Sequence, residues 1–452
     1  MQFSHVSIGG GITGVETIIS IIREIEQKIK KNKNKDKKFK SRKFNFAIID
    51  KNPENIPGGV GYGFKTSQYG YFNNPIRLAP KIFIKWLSNK NVKEKIINYL
   101  KIYGGDIGEI WIKKNKSSLF STQKSKFEEL YIPRAIMSFW MEEKLCLLMS
   151  KIKKNQSVNF DIKFFKGDVI GIKNVKNNYK ELIFKNGYCN ELKCLITNHP
   201  FKKLNFKSSG KENLILSKTQ NIGLGLPPPK QLATKKTQND HNYIWDFYAE
   251  GSTALLKRKI LHLSKSRKKI TVYFIGYKAG LLESLPELEK TIKKNKIKVE
   301  LICSSKDLKS IQKAKLSVNR QSYKLKILVK NNLIKIKGAY QLYSSILEEF
   351  NNSLSTGYNK YDAWTEILKK NILDKCIKKF SKIERDIYHK TYHTKIRNIT
   401  RFTYPETILS RENLLRMQIL KTQKETVKRV EVFKKKLLIT AINQDNARNN
   451  YI

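Results

Sequence analysis

The run Gly9-Gly10-Gly11-Ile12-Thr13-Gly14 stands between an apolar segment, Phe3 to Ile8, and a helix-like stretch from Val15 to Ile29. A strand that passes through glycines straight into a helix leaves few architectures open, because each glycine meets a different demand. Gly9 permits the tight turn, Gly11 lets backbone approach a pyrophosphate, and Gly14 lets the helix pack close to the strand. The phosphates of a dinucleotide would meet the free N–H groups of the helix start, so Gly10, Ile12 and Thr13 join the candidate site. A second apolar strand, Phe44 to Ile49, ends in Asp50 and Lys51, where an acid would meet the ribose hydroxyls of the adenosine. The interval exceeds the usual gap of about 20 residues by a lysine-dominated run, Lys30 to Lys43, which reads as a solvated insertion. The alternative reading is a glycine turn with a purely structural role.

Composition narrows the partners. A chain of 452 residues suits a two-domain enzyme with insertions. Its net charge of +52 would ordinarily suggest nucleic acid or an anionic membrane. The excess is mostly lysine, however, and is spread along the whole chain instead of clustered with arginine and aromatic residues, so nucleic acid is not the expected main partner. The five cysteines, Cys146, Cys189, Cys194, Cys303 and Cys376, show no C-x-x-C spacing and read as thiols in a reducing cytoplasm. His389 and His393 stand one helical turn apart but lack further ligands, so no metal is expected. The glycine turn begins too early for a signal peptide, and no stretch reaches the roughly 18 apolar residues of a membrane span. A soluble, cytoplasmic protein is expected.

Further along, a second glycine cluster, Gly58-Gly59-Val60-Gly61-Tyr62-Gly63, has no strand before it and reads as a loop. Tyr131-Ile132-Pro133-Arg134 opens a helix reaching Met149, with proline near its first turn. Residues 159–200 alternate as strands, with a hairpin expected at Asn186-Gly187. Residues 201–242 are polar and contain Pro227-Pro228-Pro229, the pattern of a linker. A second strand, turn, helix and strand unit follows: Ile270 to Ile275, then Gly276 to Gly280, Leu281 to Lys294, and Ile297 to Ile302. Helical patterns run from Leu342 to His393, and Leu437 to Ile442 reads as a closing strand.

Taken in order, these residues resemble the bacterial flavoproteins described as FAD-NAD(P)-binding proteins, related to flavin monooxygenases and amine N-hydroxylases. The likeness rests on Gly9 to Gly14, Asp50, Gly59-Val60-Gly61-Tyr62-Gly63, Phe72-Asn73-Asn74-Pro75, Phe83-Ile84-Lys85-Trp86-Leu87 and Tyr131-Ile132-Pro133-Arg134. It continues through Tyr243-Ile244-Trp245-Asp246, the second unit with Glu283, and the stretch from Arg397 to Pro405. The resemblance implies an α/β fold: a Rossmann-like FAD-binding domain, an inserted second Rossmann-like domain of NAD(P) type, and a helical C-terminal region. The domains implied are residues 1–200 for FAD, a linker at 201–242, the second unit at 243–340, and a helical region at 341–452 returning to the FAD domain.

It also implies FAD as cofactor, NADPH or NADH as reductant, and a small-molecule substrate, with monooxygenation as the finer expectation. Gly59, Gly61, Tyr62 and Asn73 would neighbour the flavin ring, with Thr197 and Asn198 where the family ends a strand in an A-T-G-type turn. Arg134 would meet an anionic group of cofactor or substrate through its guanidinium fork, or else form a structural salt bridge. Gly276 and Gly280 would serve the second nucleotide, although Lys278 stands at its close-approach position. Asn198 in place of glycine, Lys278, and an end at Ile452 short of the family's glycine-containing tail favour a different class of function: a non-catalytic FAD-holding or interaction protein of the same fold. No residue in the sequence stands out as a general base.

Overall fold

A computed structural model describes the chain except residues 1, 32–42, 54–55, 64–69, 73–74, 104, 155–158, 176–178, 196–204, 213–214, 225–243, 245–251, 267–268, 277–278, 305–311, 314–322, 400–401, 404, 434–435, 444, 446 and 452. Strand β1 (Gln2–Ile8) pairs in parallel with β2 (Lys43–Asp50), and β2 with β3 (Asn159–Lys166). Phe46, Ala47, Ile48 and Ile49 are all buried, the unbroken apolar run that a parallel strand covered on both faces requires. Between β1 and β2, helix α1 (Ile12–Lys31) buries Val15, Ile18, Ile19 and Ile22 at the three- and four-residue spacing of one helical face. Burial of each such side chain contributes about 1.5–3 kcal/mol, and these four clamp α1 against β2 and against helix α3 (Ile136–Lys154). The other face of the sheet is closed by Phe3, Val6, Phe165, Leu182 and Phe184.

Four antiparallel strands widen this sheet: β4 (Val169–Val175), β5 (Tyr179–Phe184), β6 (Cys189–Leu195) and β7 (Asn205–Glu212). With β8 (Ile215–Leu224) the order is β4-β5-β8-β1-β2-β3-β6-β7. Two sequence expectations change here. The turn at Asn186-Gly187 forms, with Gly187 at φ +77° and its N–H bonded to Phe184 O, but its flanking strands do not pair with each other. Strand β5 joins β4 and β8, while β6 joins β3 and β7, because turn chemistry fixes a local φ and not the partner. The expected linker at 201–242 contains β7 and β8. Strand β8 runs parallel to β1 with a register break between Phe3↔Leu216 and His5↔Asn221, and that bulge erases the two-residue period by which a strand is recognised.

The second unit is a parallel sheet in the order β13-β10-β9, built from β9 (Ile270–Ile275), β10 (Val299–Ser304) and β13 (Leu420–Gln423). Helix α4 (Ala279–Asn295) packs on it through Leu281, Leu282, Leu285, Leu288 and Ile292. A short strand pair, β11 (Gln312–Lys313) with β12 (Phe402–Thr403), and a helical region between β10 and β13 intervene. The helical region includes α5 (Ala339–Ser355) and continues to Ile399 through a π-helical turn at Tyr388–Tyr392. The chain ends in the antiparallel meander β14 (Glu425–Phe433), β15 (Lys436–Asn443) and β16 (Arg448–Tyr451). Residues 341–452 are therefore helical only in part. Among the described residues their last strands lie outside the first sheet, with β13 completing the second one and Glu425 accepting from the hydroxyls of Tyr273 in β9 and Tyr451 in β16, while Asp362 and Glu406 of this region pair with Arg77 and Lys114 of the first unit. The α/β class is as expected.

Candidate functional site

The N-terminal glycine turn is held from both sides. Gly9 adopts φ +101°, its N–H donates to Ile49 O at 2.8 Å, and Ser7 Oγ donates to its carbonyl at 3.1 Å. A side-chain carbon at Gly14 would lie 2.3 Å from both Gly9 O and Ser7 Oγ, so only glycine lets α1 start this close to β1. Helical bonding begins with Val15 N–H to Gly11 O, leaving the N–H groups of Gly11, Ile12, Thr13 and Gly14 without a partner among the described residues. Four such donors at the positive end of a long helix are the arrangement that suits an anionic group.

Asp50 bounds that site. Its Oδ2 accepts from Gly10 N–H and its Oδ1 from Asn52 N–H, both at 2.8 Å. Burial raises its carboxyl above the usual range, while those two N–H groups and the neighbouring Lys51 pull it back down. Lys51 itself is exposed. Each carboxylate oxygen retains further lone pairs for a ligand hydroxyl.

The second glycine cluster packs directly on the first. Gly59, at φ +65°, opens the short helix α2 (Gly59–Tyr62), and a side-chain carbon on it would meet Gly11 Cα at 3.0 Å. Among the described residues a carbon added to Gly61 would meet nothing within 4 Å, which leaves that flank of the helix open. Ser138 of α3 donates to Tyr62 O. The sequence alone gives no reason to connect these glycines with Ser7, Ser138 or Ile56, whose Cγ1 a carbon added to Gly10 would meet at 2.3 Å. Asn73, Thr197 and Asn198 lie outside the described residues. Strand β6, which leads towards Thr197, runs antiparallel to β3 and so ends away from the glycine turn. The strand that reaches the turn beside β1 is β8, whose Gly223 and Leu224 pair with Ser7 and Ile8.

Arg134 stands near this cluster, its guanidinium carbon 5.9 Å from the centroid of the Tyr62 ring. Its backbone is fixed by Arg134 N–H to Gly70 O at 2.6 Å. Instead of facing an open site, the guanidinium donates to Glu283 in α4, and both residues are buried. Burial pushes the Glu283 carboxyl up to about 7, with Arg134 opposing that rise only in part. The sequence signal for this pair is a carboxylate among the leucines of a helical stretch, Leu281 to Leu285.

The second turn repeats the first in backbone geometry. Gly276 has φ +104° and donates its N–H to Ser304 O at 2.8 Å, as Gly9 does to Ile49. The position five residues on, Gly14 in the first turn, is here the buried Leu281, so Gly280 corresponds to Thr13 and not to the close-packing glycine. Lys278 lies outside the described residues. No group of three or more candidate metal ligands occurs among the described residues, and none of their helices is long and apolar enough to cross a membrane.

No protein-family model and no curated protein matches this chain. Solved structures do match. The FAD-bound cadaverine monooxygenase of desferrioxamine biosynthesis from Erwinia amylovora is 9% identical, with 100% of this chain and 76% of that one covered at TM-score 0.39. The ornithine N-hydroxylase of Kutzneria sp. 744, in a structure with FAD, NADP+ and L-ornithine, is 8% identical, with coverage of 100% and 79% and TM-score 0.44. A bacillithiol disulfide reductase from Bacillus cereus is 11% identical, with coverage of 100% and 75% and TM-score 0.33.

Proposed function

We propose that this chain is a flavin-dependent oxidoreductase that holds FAD on the N-terminal glycine turn and takes NADPH or NADH on the second unit. The observation that carries the reading is the set of four N–H groups, Gly11 to Gly14, that have no partner among the described residues and open a helix beside Asp50. In this reading the N–H groups bind the pyrophosphate and Asp50 orients the ribose, keeping its bond to Gly10 while accepting from a hydroxyl. Gly59 keeps the two glycine segments in contact, and the open flank of Gly61 admits a flat ring; Asn73, Thr197 and Asn198 are assigned to the same neighbourhood by the family resemblance. Bound there, the flavin would supply the two-electron chemistry, with the protein supplying position and electrostatics. The finer assignment, oxygen insertion into a small molecule, belongs to the same proposal.

A second reading, a cofactor-holding protein without turnover, is favoured by Leu281 where the first unit has Gly14, since a side chain there sets the helix back from the second turn. Titration of the purified protein with FAD tests the first step. Saturable uptake of one FAD, lost when Gly11 is changed to valine, is expected; a colourless protein that takes up none refutes the flavin assignment.

A further inference from the structure

Arg134 and Glu283 are 149 residues apart in sequence, yet they meet as a buried pair between the first unit and the helix of the second. Among the described residues each retains one buried polar atom without a hydrogen bond, Nε of Arg134 and Oε1 of Glu283. A buried pair is stable when every donor and acceptor is used; one that leaves both kinds dry offsets its desolvation cost poorly and stands close to balance. The contacts also form a continuous series, from Gly11 to Gly59, from Tyr62 to Arg134, and from Arg134 to α4. We propose that the Arg134–Glu283 contact is a pH-responsive latch between the two nucleotide-type units.

The inference goes beyond the cofactor assignment and does not depend on it. Among the described residues, Arg134 is the one charged group acting on Glu283, and the Tyr62 ring faces Arg134. The neighbouring Ser284 hydroxyl is turned to Leu281 O and gives Glu283 no help. The closed junction holds the Glu283 carboxyl at about 7, against 4.5 for the same group in water. The closed form therefore binds the proton more tightly than an opened one. Its contribution to closure is fully present below 4.5 and is lost as pH rises through about 7. That interval limits the change in the closing equilibrium to about 300-fold.

Amide hydrogen exchange of the full chain, without added cofactor and corrected for intrinsic exchange, reads this directly. Protection of residues 131–138 and 281–285 is expected to be roughly 30-fold higher at about pH 5.5 than at about pH 8. Glu283→Gln, which mimics the protonated form, should show high protection at both. Arg134→Lys should keep the transition, and Arg134→Gln should move it to higher pH by removing the cation. Should Arg134→Gln fail to fold, the wild type, Glu283→Gln and Arg134→Lys decide the matter. A flat wild-type profile, or a Glu283→Gln profile that follows the wild type, overturns the latch, whether or not the protein binds FAD.

Discussion

Two glycines three residues apart should fail in opposite ways when changed to alanine. At Gly14 the added carbon lies 2.3 Å from Gly9 O and 2.3 Å from Ser7 Oγ, about 1 Å inside ordinary contact, and one of these atoms is backbone. Relief requires moving α1 away from β1 or breaking the Ser7–Gly9 hydrogen bond. Overpacking of this kind costs about 1–3 kcal/mol and the lost bond about 1 kcal/mol, so a loss near 3 kcal/mol is expected. For a unit of roughly 200 residues that is a fall in melting temperature of roughly 6–12 °C. At Gly11 the nearest atom to an added carbon is Gly59 Cα at 3.6 Å, an ordinary contact, so Gly11→Ala should leave the melting temperature unchanged or slightly raised. Yet Gly11 is where backbone must approach the pyrophosphate, and the methyl should weaken FAD binding by at least about tenfold. Thermal melting and flavin titration of the two variants separate the roles. Wild-type FAD affinity in Gly11→Ala would refute the placement of the pyrophosphate, and wild-type stability in Gly14→Ala would refute the packing of α1.

Other outcomes follow from the same geometry. Gly59→Ala forces a side chain into the left-handed region and against Gly11 Cα, which should cost about 1–2 kcal/mol and lower flavin retention together; loss of neither would contradict the packing of the two glycine segments. Asp50→Ala frees the N–H groups of Gly10 and Asn52 and should destabilise the first unit by about 2 kcal/mol in a urea titration, whereas Asp50→Asn should recover about half of that. In the helical region, Glu349 accepts from the Tyr323 hydroxyl and from the N–H groups of Lys326, Ile327 and Leu328. Glu349→Ala should therefore cost at least about 3 kcal/mol, and a loss below about 1 kcal/mol measured by denaturation would contradict that network.

The sequence revealed most where a single residue meets a local demand. The apolar run of β2 and the four-residue rhythm of α1 follow from burial on one strand and one helical face, and Gly9 and Gly14 follow from a turn and a close approach that exclude side chains. What stayed hidden depends on distant partners or broken periods. The bulge in β8 disguises a central strand as a linker, and β13 is too short and polar to stand out before its pairing with β10 is known. The Gly187 turn is legible, but the parting of β5 and β6 on either side of it is decided by the sheet. Arg134 has the chemistry of an anion site or of a salt bridge, and the fold identifies its partner as a carboxylate 149 residues away, Glu283.

The central claim is that the chain holds FAD on its first turn and reduces it from its second. Its most direct test is the flavin absorbance of the FAD-loaded protein when NADPH, and separately NADH, is added without oxygen. Bleaching of the bound flavin by at least one of them is the predicted result. A bound flavin that keeps its oxidised spectrum with both would contradict the oxidoreductase reading and leave a protein that holds a cofactor without using it.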